Sequence, residues 1–269
     1  MTNLTKPFPL VVAQSHISED VRANGRHIRA LMQRAKEKGA RLIHFTECAL
    51  SGRARNQISN WQRVDWNAVD EELQDIADHA RKLKLWTVLG CNHRLAPPQQ
   101  PHNSLYVISD KGVIVTRYDK RLCADGSNMW YTPGVSSTTF VVDGYRFGCV
   151  LSTEVHYPEL FAAYERLGVE VLLLSIYAEE AIFAIEAQAH AAINAMWVSL
   201  ATPVETSRGL PGGLIGPDGN FIGRARRGQS ALVPGQIDRN NPAFDFSARR
   251  SSLSRDKATQ TNGRQRIKT

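Results

Sequence analysis

Residues 148–160 have the sequence Gly-Cys-Val-Leu-Ser-Thr-Glu-Val-His-Tyr-Pro-Glu-Leu, and this stretch is the most informative for both fold and site. Its apolar first part is typical of a buried strand that ends at Ser152, and a helix is predicted to begin near Pro158. A side chain at such a junction lies at a pocket mouth beside backbone N–H groups that have no partner within the helix. Acyl transfer needs a nucleophile in this geometry, so Ser152 is a candidate nucleophile.

Two earlier strands also end in polar side chains that acyl transfer can use. Residues 42–47, Leu-Ile-His-Phe-Thr-Glu, form an apolar strand that ends in Glu47, and residues 117–122, Arg-Tyr-Asp-Lys-Arg-Leu, place Lys120 at the end of another. An ionised carboxylate accepts a proton, and an ammonium group donates hydrogen bonds to developing negative charge. We therefore predict Glu47 as base and Lys120 as oxyanion donor, with the Thr153 N–H as a second donor.

The three segments resemble those of the nitrilase (carbon–nitrogen hydrolase) superfamily, whose Glu–Lys–Cys triad follows the same chain order. The resemblance covers the chain from about Pro9 to Asp238 and includes two flanking motifs, Tyr131-Thr132-Pro133-Gly134 and Tyr157-Pro158-Glu159. It implies that Glu47 is the general base, that Lys120 is the oxyanion-stabilising lysine, and that Ser152 occupies the position of the nucleophilic cysteine. It also implies that Thr153, Glu154 and His156 contact the substrate.

The chain departs from the family pattern at several of these positions. A thiol has a pKa of about 8.5, whereas a hydroxyl resembles water at about 15.7, a gap of roughly 10 kcal/mol that makes a serine a very poor nucleophile. The loop from Arg121 to Gly134 lacks the glutamate that many members carry, and Asp125 is its only carboxylate. His156 stands in place of an arginine that is common before the aromatic–Pro–Glu sequence, and Thr46 in place of a proline.

Apolar strands alternate with amphipathic helices along the chain, and the order strand–helix–strand–helix–strand–hairpin occurs about twice. Helices are predicted after an N-cap at Ser18 and over residues 67–84, Pro158 to Leu167 and 179–196, with strands over 10–14, 41–45, 85–91, 169–176, 197–204 and 231–237. Hairpins are predicted around residues 109–112, 143–144 and 216–219. This pattern favours an α/β fold of two mixed sheets covered by helices. The resemblance implies a four-layer αββα sandwich with an internal pseudo-twofold repeat.

Charge is unevenly distributed along the 269 residues. The formal net charge is +7, but residues 239–269 hold eight basic and two acidic residues, so the rest of the chain is almost neutral. We expect one domain over residues 7–240 and a basic, polar C-terminal arm over residues 241–269. A nearly neutral body does not favour a nucleic-acid partner.

The four cysteines, Cys48, Cys91, Cys123 and Cys149, have no metal-ligand spacing. They are typical of reduced thiols in a cytoplasmic protein, and we expect no metal and no cofactor. Cys48 and Cys123 are of interest because they lie beside Glu47 and Lys120. No run of 18 apolar residues occurs, so neither a signal peptide nor a membrane span is expected.

Three hypotheses about function remain open on the sequence alone. The first is a hydrolase that acts on a small amide, N-carbamoyl compound or nitrile through a thioester, and whose nucleophilic cysteine has been changed to Ser152 so that turnover stops. The second is a natural, catalytically inactive homologue that binds a small molecule or serves as a subunit. The third is a serine hydrolase that uses Ser152 with His156 or His190. The resemblance also implies a homodimer or a larger homo-oligomer.

Overall fold

Two six-stranded sheets pack face to face in the computed structural model, which describes residues 6–123 and 129–241. The strands, in chain order, are β1 Phe8–Gln14, β2 Leu42–His44, β3 Trp86–His93, β4 His102–Ile108, β5 Ile114–Asp119, β6 Thr139–Val142, β7 Tyr145–Leu151, β8 Val171–Ser175, β9 Trp197–Ala201, β10 Gly213–Ile215, β11 Phe221–Arg224 and β12 Ala231–Ile237. The helices are α1 Val21–Glu37, α2 Trp66–Leu83, α3 Pro158–Arg166 and α4 Ile182–Asn194.

The two sheets share one topology. The first has the order β12-β1-β2-β3-β4-β5 and the second the order β6-β7-β8-β9-β10-β11. In each sheet, the three central strands next to the first edge strand are parallel to one another. The edge strand on one side and the two strands on the other side pair in antiparallel fashion. The predicted internal repeat is confirmed, and β12 completes the sheet of the first half.

Three hydrophobic clusters separate four layers. The cluster between the sheets includes Leu10, Val88, Phe147, Leu173 and Trp197. A second cluster joins the first sheet to α1 and α2, and a third joins the second sheet to α3 and α4; their largest members include Ile28, Met32, Phe45, Ile76, Phe161 and Leu174. The predicted four-layer αββα sandwich is therefore confirmed. Among the described residues, no helix is long and apolar enough to cross a bilayer.

The start of α1 differs from the prediction. Asp20, not Ser18, is the N-cap, because its carboxylate accepts hydrogen bonds from the N–H groups of Arg22 and Ala23 at 2.9 and 3.1 Å. The Ser18 hydroxyl instead donates to the side chain of Asn24. Both residue types cap helices, so the sequence alone did not separate them.

Several elements of the second half are shorter than predicted. Helix α4 spans Ile182–Asn194 instead of 179–196, and β9 ends at Ala201 instead of 204. Residues 176–181 and 202–210 consequently form loops at the carboxyl ends of β8 and β9. Ligands of α/β folds commonly bind at this edge of a sheet, so the shortening makes room for a site. The predicted C-terminal arm lies outside the described residues from residue 242 onward.

His44 joins the two sheets through buried hydrogen bonds. Its Nε2 lies 2.8 Å from the Ser175 hydroxyl, and its Nδ1 lies 2.8 Å from the Ser199 hydroxyl. The Ser175 hydroxyl donates its single hydrogen to the carbonyl of Phe45, so Nε2 is assigned as the donor and Nδ1 as the acceptor. Burial lowers the pKa of His44 to about 3, which keeps the imidazole neutral.

Candidate active site

Glu47 lies in the segment that follows β2 and is 1% exposed. Its Oε1 accepts a hydrogen bond from the Asn103 amide at 2.7 Å, and its Oε2 accepts one from the backbone N–H of Tyr177 at 3.1 Å. One partner comes from each half of the sandwich. The carboxylate is therefore fixed between the two sheets, at the ends of β2 and β8.

Gly90 of β3 allows this placement of Glu47. A Cβ atom at position 90 would lie 2.1 Å from the carbonyl oxygen of Thr46 and 2.5 Å from the nitrogen of Cys48. Only glycine permits that approach, because real Cβ atoms do not come so close to backbone atoms. The carbonyl of Gly90 in turn accepts the N–H of Leu50, which fixes the segment after Glu47.

Lys120 directly follows β5 and is 4% exposed. Its N–H donates to the carbonyl of Asn103, the residue whose side chain holds Glu47, and its carbonyl accepts the N–H of Gly134. A Cβ at position 134 would lie 2.3 Å from the carbonyl oxygen of Asp119, so a glycine is required there as well. Asn103 thus links the Lys120 backbone to the Glu47 carboxylate.

Ser152 occupies the turn that the sequence predicts between strand and helix. It directly follows β7, has a positive φ of 51° and begins a 3₁₀ helix over Ser152–His156. A positive φ is uncommon for a residue with a side chain and marks a sharp turn held by its surroundings. Thr153 is the second residue of that helix, where an N–H has no partner within the helix.

A cavity of about 570 Å³ opens beside Ser152. Its walls come from the segment after Glu47, the turn at Ser152 and the two loops that follow β8 and β9. The polar lining residues are Arg53, Asn56, Ser152, Thr153, Tyr177, Glu179, Glu180, Glu205 and Thr206. Of the residues predicted from sequence, Ser152 and Thr153 line this cavity. Glu47 lies behind its wall, where it accepts the N–H of Tyr177 and lies beside Arg53, and both of these residues line the cavity.

Glu154 does not line the cavity. Its fully buried carboxylate accepts four hydrogen bonds, from the N–H groups of Leu151, Arg121 and Leu122 and from the hydroxyl of Tyr118, at 2.7 to 3.2 Å. These bonds attach the loop after Lys120 to the turn at Ser152. The Glu154 side chain therefore holds backbone segments in place, and it does not face the cavity where the predicted substrate contact would be.

Residues 11–242 match the sequence model of a family described as Carbon-nitrogen hydrolase. The chain belongs to the carbon–nitrogen hydrolase family. The match includes Glu47, Lys120 and Ser152, and it extends over both sheets of the sandwich. The resemblance inferred from the three segments is thereby confirmed, whereas the role of each residue stays a prediction.

Solved structures share this carbon–nitrogen hydrolase fold. A crystal structure of an amidase from Nesterenkonia sp. superposes with a TM-score of 0.78 at 18% identity, covering 96% of this chain and 98% of that one. A cysteine-to-alanine mutant of the amidase from Nesterenkonia sp. AN1, in complex with butyramide, gives 0.77 at 20% identity, with 93% and 96% covered. At these identities the similarity establishes the fold.

Neither histidine considered as a base reaches the nucleophile position of this family member. Nδ1 of His156 lies 2.8 Å from the carboxylate of Glu186, on the outside of α4. Nε2 of His190 hydrogen-bonds to the carbonyl of Val155, its ring stacks on Phe161, and burial lowers its pKa. Within the described residues, no histidine hydrogen-bonds to Ser152, so the geometry does not support the serine-hydrolase hypothesis.

Arg53 is a charged residue of the site that the sequence analysis did not single out. Its Nε lies 3.6 Å from Oε1 of Glu47, its Nη1 donates to Asn56 at 2.8 Å, and its guanidinium lies 5.1 Å from the centre of the Tyr177 ring. Burial acts to lower the pKa of Arg53, but the negative charge of Glu47 and further neighbours outweigh it and raise the pKa. The candidate site thus contains a guanidinium beside the predicted base.

The nearby cysteines do not substitute for a thiol at position 152. Cys48 is fully buried, and burial followed by the charge of Glu47 raises its pKa well above the usual value. It is therefore a protonated thiol, which is a weak nucleophile. Sγ of Cys123, which is partly exposed, lies 3.9 Å from the carbonyl oxygen of Lys120.

Among the described ranges, no three His, Cys, Asp or Glu residues form a group able to hold a metal ion.

Proposed function

We propose that this site is built to hydrolyse the carbon–nitrogen bond of a small amide, N-carbamoyl compound or nitrile through a thioester that a cysteine at position 152 forms, and that Ser152, which stands in place of that cysteine, leaves this form of the protein inactive. The observation that carries the proposal is Ser152 itself, held at a positive φ on a cavity whose wall includes the partners of Glu47. Backbone strain of this kind is kept where it positions a functional side chain. A serine without a function would gain nothing from it.

With a cysteine at position 152, the chemistry would follow from the groups in place. Glu47 takes the thiol proton while sulfur bonds to the substrate carbonyl carbon, and the Lys120 ammonium and the Thr153 N–H stabilise the oxyanion. The carbon–nitrogen bond then breaks, and the leaving nitrogen takes the proton from Glu47. Water, deprotonated by Glu47, attacks the thioester and releases the carboxylic acid and the thiol.

An amide is the favoured substrate class because of what related structures contain. A glutamate-to-glutamine mutant of the Nesterenkonia amidase shows covalent addition of the acetamide moiety of fluoroacetamide at the active-site cysteine, and another mutant holds butyramide. The cavity beside Ser152 has room for an amide of this size. Glu154 acts in this proposal as a positioning residue, because it joins the loop after Lys120 to the Ser152 turn.

A second candidate function is binding without turnover, and Ser152 itself favours it. A hydroxyl in place of a thiol adds about 10 kcal/mol to the activation barrier by the difference in pKa. The lined cavity and the fixed carboxylate of Glu47 would then serve ligand recognition alone. Ser152→Cys distinguishes the two functions directly.

We expect a homodimer or larger assembly that uses helix α4. Its three isoleucines, Ile182, Ile185 and Ile193, are 47, 59 and 62% exposed. Exposed apolar side chains on one helix are typical of a surface that another subunit covers. The helix also supplies Phe183 to the cavity, so contacts at this surface would lie close to the site.

The deciding experiment compares the Ser152 protein with Ser152→Cys on small amides, N-carbamoyl amino acids and nitriles. We expect turnover to rise by at least about 10³-fold in the cysteine form, with a covalent acyl adduct in its mass spectrum. Ser152→Ala, which removes the hydroxyl, serves as the control and should remain inactive. A folded Ser152→Cys protein that forms no adduct and turns over none of these compounds would contradict the hydrolase proposal and favour the binding function.

A further inference from the structure

Asn103 is the second residue of β4 and is 1% exposed. Its Nδ2 donates to Oε1 of Glu47 at 2.7 Å, and its backbone carbonyl accepts the N–H of Lys120 at 2.8 Å. Position 103 does not line the cavity beside Ser152. Asn103 therefore contacts both charged residues of the candidate triad from behind the wall of the site, one through its side chain and the other through its backbone.

The orientation of the Asn103 amide follows from its two neighbours. An ionised carboxylate only accepts hydrogen bonds, so the NH₂ group must face Glu47. On the other side, Sγ of Cys48 lies 3.5 Å from Oδ1 of Asn103. Burial, followed by the charge of Glu47, raises the pKa of this thiol, so the sulfur keeps its hydrogen and can donate it to the amide oxygen. Turning the amide over would place its oxygen against the carboxylate and its NH₂ group against the thiol.

The two oxygens of the Glu47 carboxylate have unequal surroundings. Oε1 accepts the Asn103 amide and lies 3.6 Å from Nε of Arg53, whereas Oε2 accepts the backbone N–H of Tyr177 at 3.1 Å. A short hydrogen bond and a nearby positive charge stabilise negative charge on Oε1, which leaves Oε2 the better proton acceptor. Tyr177 lies just after β8, the parallel neighbour of β7, and Ser152 directly follows β7. Oε2 thus lies on the side of the sandwich that carries the nucleophile position.

Resting on the proposed function, we propose that Asn103 is a positioning residue, which holds Oε1 of Glu47 on the side of the first sheet and so presents Oε2 to a nucleophile at position 152. The terminal torsion of a glutamate side chain is broad, so the two oxygens exchange readily unless a donor fixes one of them. A donor to the carboxylate also favours its ionised form, which is the form that takes the thiol proton. Asn103 therefore acts on the reaction through Glu47 rather than on the substrate.

Alkylation of the Ser152→Cys protein by 2-chloroacetamide tests this role without turnover. The sulfur bonds to the methylene carbon, chloride leaves with its bonding electrons, and the thiol proton passes to Glu47. In the Ser152→Cys form, Asn103→Leu keeps the approximate shape but removes the donor. We therefore expect alkylation at pH 7 to slow at least about tenfold and the acidic limb of the rate–pH profile to move to higher pH. Mass spectrometry measures the adduct at position 152, and the Ser152 protein reports the background from Cys123.

Matched controls separate positioning from packing. Asn67→Leu makes the same change at an exposed residue of α2 and should leave the alkylation rate and its pH profile unchanged. Asn103→Ala removes the same donor without adding bulk, so it replaces Asn103→Leu if that variant does not fold. Slower alkylation with an unchanged pH profile would indicate lost packing and would overturn the proposal, as would an unchanged rate.

The outcomes separate this inference from the hydrolase proposal. If Ser152→Cys turns over amides and Asn103→Leu changes neither the alkylation profile nor kcat, the hydrolase stands and the positioning role is wrong. If Ser152→Cys turns over none of the compounds but Asn103→Leu shifts the alkylation profile, the positioning role stands and the hydrolase proposal fails. Where both hold, Asn103→Leu should lower kcat at least about tenfold and leave KM nearly unchanged, because position 103 does not line the cavity.

Discussion

The hydroxyl of Tyr118, on β5, donates to the carboxylate of Glu154 at 2.7 Å, two residues after Ser152. The same carboxylate accepts the backbone N–H of Arg121 at 2.7 Å, one residue after Lys120. The two strand ends that carry the candidate oxyanion donor and the candidate nucleophile are therefore joined through one buried side chain.

Glu154→Gln should loosen this junction. The glutamine has nearly the same shape, but its NH₂ group would face donors where a carboxylate oxygen accepted them, which costs roughly 1–3 kcal/mol for each unsatisfied group. We expect a lower free energy of unfolding in urea and, in the Ser152→Cys form, a lower kcat. Tyr118→Phe removes only one of the four donors and should have a smaller effect on both. Equal stability of Glu154→Gln and the parent protein would contradict this role.

Glu47→Gln and Lys120→Ala, each in the Ser152→Cys form, should lower kcat by at least about 10²-fold, because each removes a group that acts mainly in the transition state. Steady-state kinetics on the best amide of the panel measures the loss. Lys111→Ala, at an exposed lysine of the β4–β5 turn, is the matched control and should leave kcat unchanged. Losses below tenfold with an intact fold would mean that the triad is assigned wrongly.

His44 should make the protein less stable as the pH falls below about 6.5. Its pKa is about 3 in the folded protein, compared with about 6.5 in the unfolded chain. Below pH 6.5 the unfolded chain binds a proton at His44 that the folded protein does not, so the free energy of unfolding decreases by about 1.4 kcal/mol per pH unit down to about pH 3. His44→Gln removes this contribution, so the stability difference between parent and variant should shrink as pH falls from 6.5 to 4. Urea titrations of both proteins across this range measure it, and a pH-independent difference would contradict the assignment.

Ile185→Glu should reduce the size of the assembly. This isoleucine is 59% exposed on α4, and a charge there would be desolvated in any subunit contact. Light scattering should show a smaller species than the parent. Val135→Glu, at an exposed valine 96% accessible outside α4, serves as control and should not change the mass. An unchanged mass for Ile185→Glu would exclude this helix from the interface.

Much of the fold could be predicted because local signals agreed with tertiary structure. The last strand was predicted with its observed bounds, Ala231–Ile237, and the hairpins at residues 109–112 and 143–144 lie between the expected strands. Glycine and aspartate at tight turns and continuous apolar runs in parallel strands are strong signals. The turn at Ser152 was predictable for the same reason, since an apolar run stops there before a proline that begins a helix.

The parts of the site that escaped prediction depend on long-range contacts. Arg53 follows Glu47 by six residues in a loop with positive φ at Gly52 and Arg55, and no periodic pattern shows that its guanidinium turns back toward the carboxylate. Glu154 was expected at the substrate because it adjoins Ser152, but its partners at Tyr118 and Arg121 lie more than thirty residues earlier in the chain. Sequence spacing alone does not reveal such pairings.

The pairing of β12 with β1 also sets an order of events during synthesis. All six strands of the second sheet lie between residues 139 and 224, so that sheet is complete once this stretch has left the ribosome. The first sheet must wait for residues 231–237, more than 200 positions after β1. Until then β1 has an unpaired edge, and such edges expose a nascent chain to aggregation. The last strand can therefore join the first sheet only after every other strand has been synthesised, so the nascent chain carries an open edge at β1 until residues 231–237 emerge.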